Sequence, residues 1–222
     1  MEQTVVLIPA FNAAATLPEL IRRIEPYLPR EQILVVDDGS KDRTAAIAIA
    51  EGVRVLRHDR NFGKGRALRT GFDYVVRSTS DQMVITMDAD LQHRPEELPS
   101  FFAMHQLSGF DLLIGYRARW GTSMPFPRKL SNSITSFLVS ARTGVAIRDS
   151  QCGYRLIARR VLESVETTAD GYEAETEFLI KAAQKGFRIG CVPISTVYAD
   201  ERSYMTNART TFRFLNTLLK EY

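Results

Sequence analysis

Cysteine is scarce in this chain: Cys152 and Cys191 are the only two among 222 residues. They are far apart and have no metal-site spacing, which excludes a disulfide framework and a thiolate zinc centre and points to a reducing, cytoplasmic compartment. Long apolar runs are missing as well. No stretch approaches about 18 consecutive apolar residues, so no bilayer-spanning helix is expected. Residues 1–4 lead straight into an apolar run without a basic segment before it, so no signal peptide is expected. An excess of charge of one sign is also lacking. Lys plus Arg number 29 against 26 Asp plus Glu, a net +3, which is too mild to call for a nucleic-acid partner. There is no internal repeat, no low-complexity tract and no Gly/Ser linker, so residues 1–222 read as a single domain.

What remains is an ordinary globular composition, 45% apolar and 25% charged. The pattern is an alternation. Apolar runs at 4–8, 33–36, 53–56, 84–87 and 112–115 read as strands. Helical segments separate them at about 16–24, 43–51, 65–77 and from Pro95 onward, with Thr16 as a cap and Pro18 in a first turn. Strands and helices alternating at this spacing predict an α/β domain with a mostly parallel sheet covered on both faces. In such sheets ligands bind beyond the carboxyl ends of the strands. Pro9, Asp37-Asp38 and Asp88-Ala89-Asp90 all fall at such ends, so three motifs are expected to converge on one cleft. The second half predicts helices at 129–142, 173–185 (closed by Gly186) and 208–222, and a strand at 189–198. Residues 1–115 form the ligand-binding half and 116–222 a second half.

Asp88-Ala89-Asp90-Leu91-Gln92 carries the most chemistry. Following the 84–87 strand the chain reads as extended, so Asp88 and Asp90 share a face, with Gln92 continuing the row. Two carboxylates about 5 Å apart repel by roughly 3 kcal/mol at an effective dielectric near 20. Mg2+ or Mn2+ would remove that repulsion and hold a phosphate as well. The competing reading is a pair of solvated acids opening a turn.

Pro9-Ala10-Phe11-Asn12, Val36-Asp37-Asp38-Gly39-Ser40, Asn61-Phe62-Gly63-Lys64-Gly65, Asp88-Ala89-Asp90-Leu91-Gln92 and Asp149-Ser150-Gln151-Cys152-Gly153-Tyr154-Arg155 occur in this order. Together the five motifs resemble the inverting GT-A glycosyltransferases of family two. Within that family they are most similar to the polyprenyl-phosphate sugar synthases, such as dolichyl-phosphate mannose synthase and dolichyl-phosphate glucosyltransferase. The resemblance implies a single GT-A domain that moves a hexose from GDP-mannose or UDP-glucose to a polyprenyl phosphate, with Mn2+ or Mg2+. By resemblance, Pro9, Phe11, Asn12, Asp37, Asp38, Lys64, Asp88, Ala89 and Arg202 bind the donor. Asp88, Asp90 and Gln92 hold the metal. Asp90 and Arg117 carry catalysis, and Arg117, Arg128, Lys129 and Ser131 take the acceptor phosphate, with Asn132 an alternative. Two positions depart from the family pattern: Ala13 stands where Glu is usual, and Phe11 where Tyr is usual.

The residues support the acceptor site independently. Arg117, Arg119, Arg128 and Lys129 place four cations within thirteen residues, and the guanidinium fork matches phosphate oxygens. A lipid monophosphate is already largely ionised near pH 7, so neither His58 nor His93 is required as a base. Lys64 either faces the donor or belongs to a tight glycine turn. Glu175 and Glu177 are expected to be solvated helix charges, with pairing to basic side chains near the cleft as the alternative. Two apolar stripes, Ile134/Phe137/Leu138/Ala141 and Phe212/Leu215/Leu218/Leu219, are expected to pack mostly on the core, with peripheral membrane contact as the alternative. A homo-oligomer or a membrane-anchoring partner is compatible with that contact. Transfer to a soluble glycan or protein, and a non-catalytic nucleotide-sugar-binding subunit, are the competing functions.

Overall fold

The computed structural model describes residues 3–117, 126–195 and 208–222, with the backbone alone for 126–128 and 208–211. Strands β1 (Thr4–Ala10), β2 (Ile33–Asp37) and β4 (Met83–Thr86) are buried along most of their length, and β3 (Arg54–Arg57) is the half-buried edge. Unbroken Val, Ile and Leu make strands that are covered on both faces. With β5 (Leu112–Arg117), β6 (Arg155–Ala158) and β7 (Ile189–Ile194), they form one seven-stranded sheet in the order β3-β2-β1-β4-β6-β5-β7. Only β6 runs antiparallel to its neighbours, pairing Thr86 with Arg155 on one side and Ile114 with Arg155 on the other. All other pairings are parallel.

The helices are α1 (Leu17–Ile24), α2 (Thr44–Ala50), α3 (Lys64–Ser78), α4 (Leu98–Ser108), α5 (Phe126–Thr143), α6 (Arg159–Ser164), α7 (Glu173–Gln184) and α8 (Ala208–Leu219). In α1, Leu17, Leu20, Ile21 and Ile24 recur on one face and are all buried, and Pro18 sits in the first turn where its missing N–H costs nothing. Burying those four side chains is worth roughly 6–12 kcal/mol before conformational entropy is subtracted. Tyr154 lies fully buried between Phe101 and His93, with ring centroids 4.4 and 5.2 Å away. Both cysteines are free thiols. No helix among the described residues is long and apolar enough to cross a membrane.

Parallel pairing aligns the strand ends. Ala10 lies beside Asp37, and Leu7 beside Thr86, so the loops after β1, β2 and β4 emerge from one edge of the sheet. The sequence reading differs from the structure in two respects. The strand before Asp88 stops at Thr86, and α6 is an additional short helix. Of the strand expected at 189–198, the described part ends at Ile194.

Candidate active site

The loops after β1 and β2 are bound to each other. The Asn12 N–H donates to Ser40 Oγ (2.8 Å), and Asn12 Oδ1 accepts from the Lys41 N–H (2.9 Å). Asn12 adopts φ +52°, a left-handed conformation that Asn tolerates better than most residues. Ala13 is buried, and its N–H donates to Thr44 Oγ1 (2.8 Å). Phe11 stays nearly half exposed beside them. Asp37 is wholly buried. Its Oδ1 accepts from the Ser40 N–H at 3.2 Å, while Arg57 Nε lies 3.2 Å from Oδ2 without the alignment of a hydrogen bond. Asp38 does different work. Its carboxylate accepts from His58 Nδ1 (2.7 Å), the Phe62 N–H (3.0 Å) and the Gly63 N–H (2.8 Å), so it anchors the loop that leads into α3. His58 Nε2 in turn meets Thr70 Oγ1 at 2.9 Å, which fixes the ring.

That loop delivers Lys64. Gly63 has φ +104°, and a Cβ there would lie 2.4 Å from the Asp170 carbonyl oxygen; one at Gly65 would lie 2.5 Å from Ala174 Cβ. The two glycines therefore start a helix packed hard against the 169–174 segment rather than closing a tight turn. Between them, Lys64 Nζ reaches Asp88 Oδ1 at 2.6 Å and Glu175 Oε2 at 3.3 Å. Burial alone would lower the Lys64 pKa, but the charges of Asp88 and Glu175 outweigh it and hold the ammonium well above its usual range. Burial likewise pushes Asp88 up, and Lys64 overrides it, bringing the carboxyl down to about 2. A Cβ on Gly153 would sit 2.9 Å from both Lys64 Nζ and Asp88 Oδ2, so the Cys152-Gly153-Tyr154 turn makes room for the ion pair.

Asp88 and Asp90 lie beyond β4, and Ala89 and Asp90 form a turn. Strand alternation therefore does not extend to them, which corrects the argument that put both carboxylates on one strand face. Leu91 completes the turn at φ +63°, and the Gln92 N–H donates to Asp90 Oδ1 (3.0 Å). The Asp88 N–H donates to His93 Nδ1 (3.1 Å). Burial drops the His93 pKa to about 4, the Asp88 charge opposing it, so the ring is neutral and serves as a fixed acceptor.

Arg117 ends β5. Its Nε donates to Asp149 Oδ2 (2.7 Å) and its Nη2 to Asp149 Oδ1 (3.1 Å), a two-point pairing with a fully buried carboxylate. The Asp149 turn is fastened to α5, where the Ser150 N–H donates to Ser136 Oγ (3.1 Å) and Gln151 Nε2 donates to Thr135 Oγ1 (3.0 Å). Asn132 is buried there too, and its Nδ2 finds no hydrogen-bond partner among the described residues. Lys129 is half-buried and Ser131 exposed on the first turns of the same helix. Arg128 lies on that helix with only its backbone described, and Arg119 and Arg202 lie outside the described residues.

Asp149 and Gly153 have parts in this arrangement that the sequence reading did not give them. Asp149 stands inside a motif already singled out but was assigned no role. Gly153 carried no signal beyond its turn. Glu175 and Glu177 correct the expectation of solvated charge. Both are buried, Glu175 beside Lys64, while Glu177 accepts from the Thr168 and Ala169 N–H groups and pairs with Lys181 at 2.7 Å.

No group of three or more His, Cys, Asp or Glu that would cage a metal occurs among the described residues. The donor set near β4 is two carboxylates and an amide: Asp88, Asp90 and Gln92. Such a set fits Mg2+ or Mn2+ that completes its shell with phosphate oxygens, and does not fit a structural zinc site.

A mostly parallel α/β sheet with acidic loops at its carboxyl edge is the architecture of the GT-A fold. The chain belongs to the glycosyl transferase family 2, whose model matches residues 5–166. It is 34% identical to polyprenol monophosphomannose synthase from Mycolicibacterium smegmatis, over 87% of this chain and 77% of that protein. It is 33% identical to an undecaprenyl-phosphate 4-deoxy-4-formamido-L-arabinose transferase from Pseudomonas aeruginosa, over 96% of this chain and 62% of that one. Among solved structures it superposes on Mycobacterium tuberculosis glucosyl-3-phosphoglycerate synthase in complex with Mn2+, UDP and phosphoglyceric acid. The TM-score is 0.79 at 24% identity, covering 98% of this chain and 77% of that one.

Proposed function

We propose that this glycosyltransferase moves a hexose, with inversion, from a nucleotide-diphosphate sugar to a polyprenyl phosphate. The observation that carries the reading is the paired geometry at one sheet edge. A buried cation, Lys64, is fixed against Asp88, and a second, Arg117, is fixed against Asp149. Donor and acceptor in this reaction are both phosphates, and each cation is oriented by a carboxylate rather than left on a solvated stem. The names of the two relatives given above, a polyprenol and an undecaprenyl-phosphate enzyme, support the acceptor class.

In this reading Asp37, with one oxygen lacking an aligned hydrogen bond, meets the nucleotide base, beside Pro9, Phe11 and Asn12. Asp38 shapes the loop that places Lys64, and Lys64 and Arg202 take donor phosphate, with Ala89 in the turn beside it. Asp88, Asp90 and Gln92 would hold Mn2+ or Mg2+, which when bound neutralises charge growing on the leaving diphosphate. Arg117, helped by Arg128, Lys129, Ser131 and the Asn132 Nδ2, which has no hydrogen-bond partner among the described residues, binds the acceptor phosphate. That phosphate is ionised near neutral pH, so the attacking oxygen needs no base. The two histidines fit this, because His93 holds Asp88 and His58 holds Asp38.

Transfer assays with a labelled nucleotide sugar and a short-chain polyprenyl phosphate test the reading. Arg117→Ala is expected to raise the acceptor KM at least about tenfold and leave donor KM within about twofold. Equal loss of both, or wild-type transfer only to sugars or peptides, would contradict it.

A further inference from the structure

Among the described residues Arg155 is the one arginine or lysine in the core, 2% exposed between Tyr154 and Leu156, which are themselves fully buried. A guanidinium in such a place is costly unless its donors are used. Arg155 directs three nitrogens at the main chain. Its Nε donates to the Cys152 carbonyl (2.9 Å), its Nη2 to the Ser150 carbonyl (3.0 Å) and its Nη1 to the Glu175 carbonyl (2.9 Å). Strand β6 does not need these bonds, because β4 and β5 already pair its backbone on both sides. The sequence motif that ends in Arg155 stood out, yet no role attached to this residue.

The three carbonyls share a neighbourhood. Ser150 and Cys152 belong to the 149–153 turn. At one end of that turn Asp149 grips Arg117 at two points, and at the other Gly153 leaves the room in which Lys64 meets Asp88. Glu175 brings a second carboxylate to Lys64. One planar fork therefore ties the turn that lies between the two cations to the helix that flanks one of them. Thr86 fastens the same turn from the end of β4, its Oγ1 donating to the Gly153 carbonyl (2.7 Å), and α5 holds it through Ser136 and Thr135. That polar side of α5 is its buried side. Ile134 and Phe137 lie outside, as do Phe212 and Leu215 of α8, which corrects the expectation that most of both apolar stripes pack on the core; Leu218 does lie there.

We infer that Arg155 is a positioning residue that holds Lys64 and Arg117 in register with each other, by clamping the 149–153 turn to Glu175. Buried as it is, Arg155 acts through these two cations alone. Its consequence for turnover rests on the glycosyl-transfer reading, whereas the placement of the cations does not, so the two fail separately.

The test is Arg155→Lys in the full chain. Lysine keeps the charge but gathers its donors on one atom, so it cannot serve three carbonyls that a planar fork reaches. Side-chain NMR of the nitrogen-labelled protein follows the Arg117 Nε–H and Lys64 Nζ–H signals, identified by their loss in Arg117→Lys and Lys64→Arg. Both signals are expected in the wild type, and both are expected to broaden or vanish in Arg155→Lys while the backbone spectrum stays that of a folded protein. In transfer assays the same variant should raise the donor KM and the acceptor KM together, each at least about fivefold. A merely destabilised protein would lower kcat through its active fraction and leave both KM values unchanged. Should the lysine variant not fold, Arg155→Gln takes its place with the same expected result. Unchanged cation signals, release of only one cation, or a fall in kcat alone would overturn the inference, and so would failure of both variants to fold. Release of both cations in a protein whose wild type transfers to no polyprenyl phosphate would support the positioning role and overturn the transfer reading.

Discussion

Two pairs of acids stand at the same edge of the sheet and have opposite fates. At the end of β2, Asp37 and Asp38 are almost completely buried, and Asp38 has both oxygens engaged by the 58–63 loop. At the end of β4, Asp88 and Asp90 are half-exposed, one tied to the cation of Lys64 and the other at a turn. The lesson is that an acidic motif at a strand end does not define one job. A carboxylate whose acceptor sites all meet backbone N–H groups and an imidazole builds a loop. A carboxylate that keeps contact with water beside an ammonium is available for chemistry.

The sharpest way to break this contrast is to remove one acid from each pair. Asp90→Ala is expected to lower kcat about a thousandfold or more while leaving the urea midpoint nearly unchanged. Asp38→Ala should do the reverse in kind, costing about 1–3 kcal/mol of stability because it strands the part-buried Phe62 and Gly63 N–H groups and frees the His58 ring. If both variants lose activity without losing stability, the division of labour is wrong.

A second test acts on the cation that separates the pairs. Lys64→Met keeps the bulk but leaves the buried Glu175 and the partly exposed Asp88 without their cation, which should cost about 3 kcal/mol at pH 7. The sign of the pH dependence follows from Asp88. Its folded pKa is lowered from 3.8 to about 2, so in the wild type its stabilisation is full above about pH 4 and is lost as the pH falls toward 2. In the variant the carboxyl that has lost its cation protonates at a higher pH, which relieves the uncompensated charge. Guanidinium unfolding at pH 7 and pH 3 should therefore show the gap narrowing in acid; a constant gap would mean that the pair contributes packing alone.

The sequence made the parallel half of the fold legible because β1, β2 and β4 are unbroken aliphatic runs, which only a sheet covered on both faces can bury. The order of the motifs likewise gave the family. Orientation was less visible. Nothing local in Arg155–Ala158 marks β6 as antiparallel, since that depends on pairing with Met83–Thr86 and Leu112–Ile114 far away in the chain. The burial of Glu175 and Glu177 depends on Lys64 and the 168–169 backbone, contacts that helix periodicity does not encode. Helices α1 and α5 show the same limit from the other side. Both have an apolar stripe in sequence, yet α1 turns it inward and α5 outward, because Thr135 and Ser136 find partners in the Asp149 turn. A stripe reveals that two faces differ, and the partners of the polar face decide which one meets the core.

In the proposed function, the edge formed by β1, β2 and β4 binds a nucleotide diphosphate together with a divalent ion. The most direct measurement is the thermal stability of the full chain with UDP or GDP, with and without Mn2+. Stabilisation by one nucleotide that requires Mn2+ is the predicted result, amounting to about 2.7 kcal/mol at a hundredfold excess over Kd. An identical shift without the ion, or no shift with either nucleotide, would contradict it.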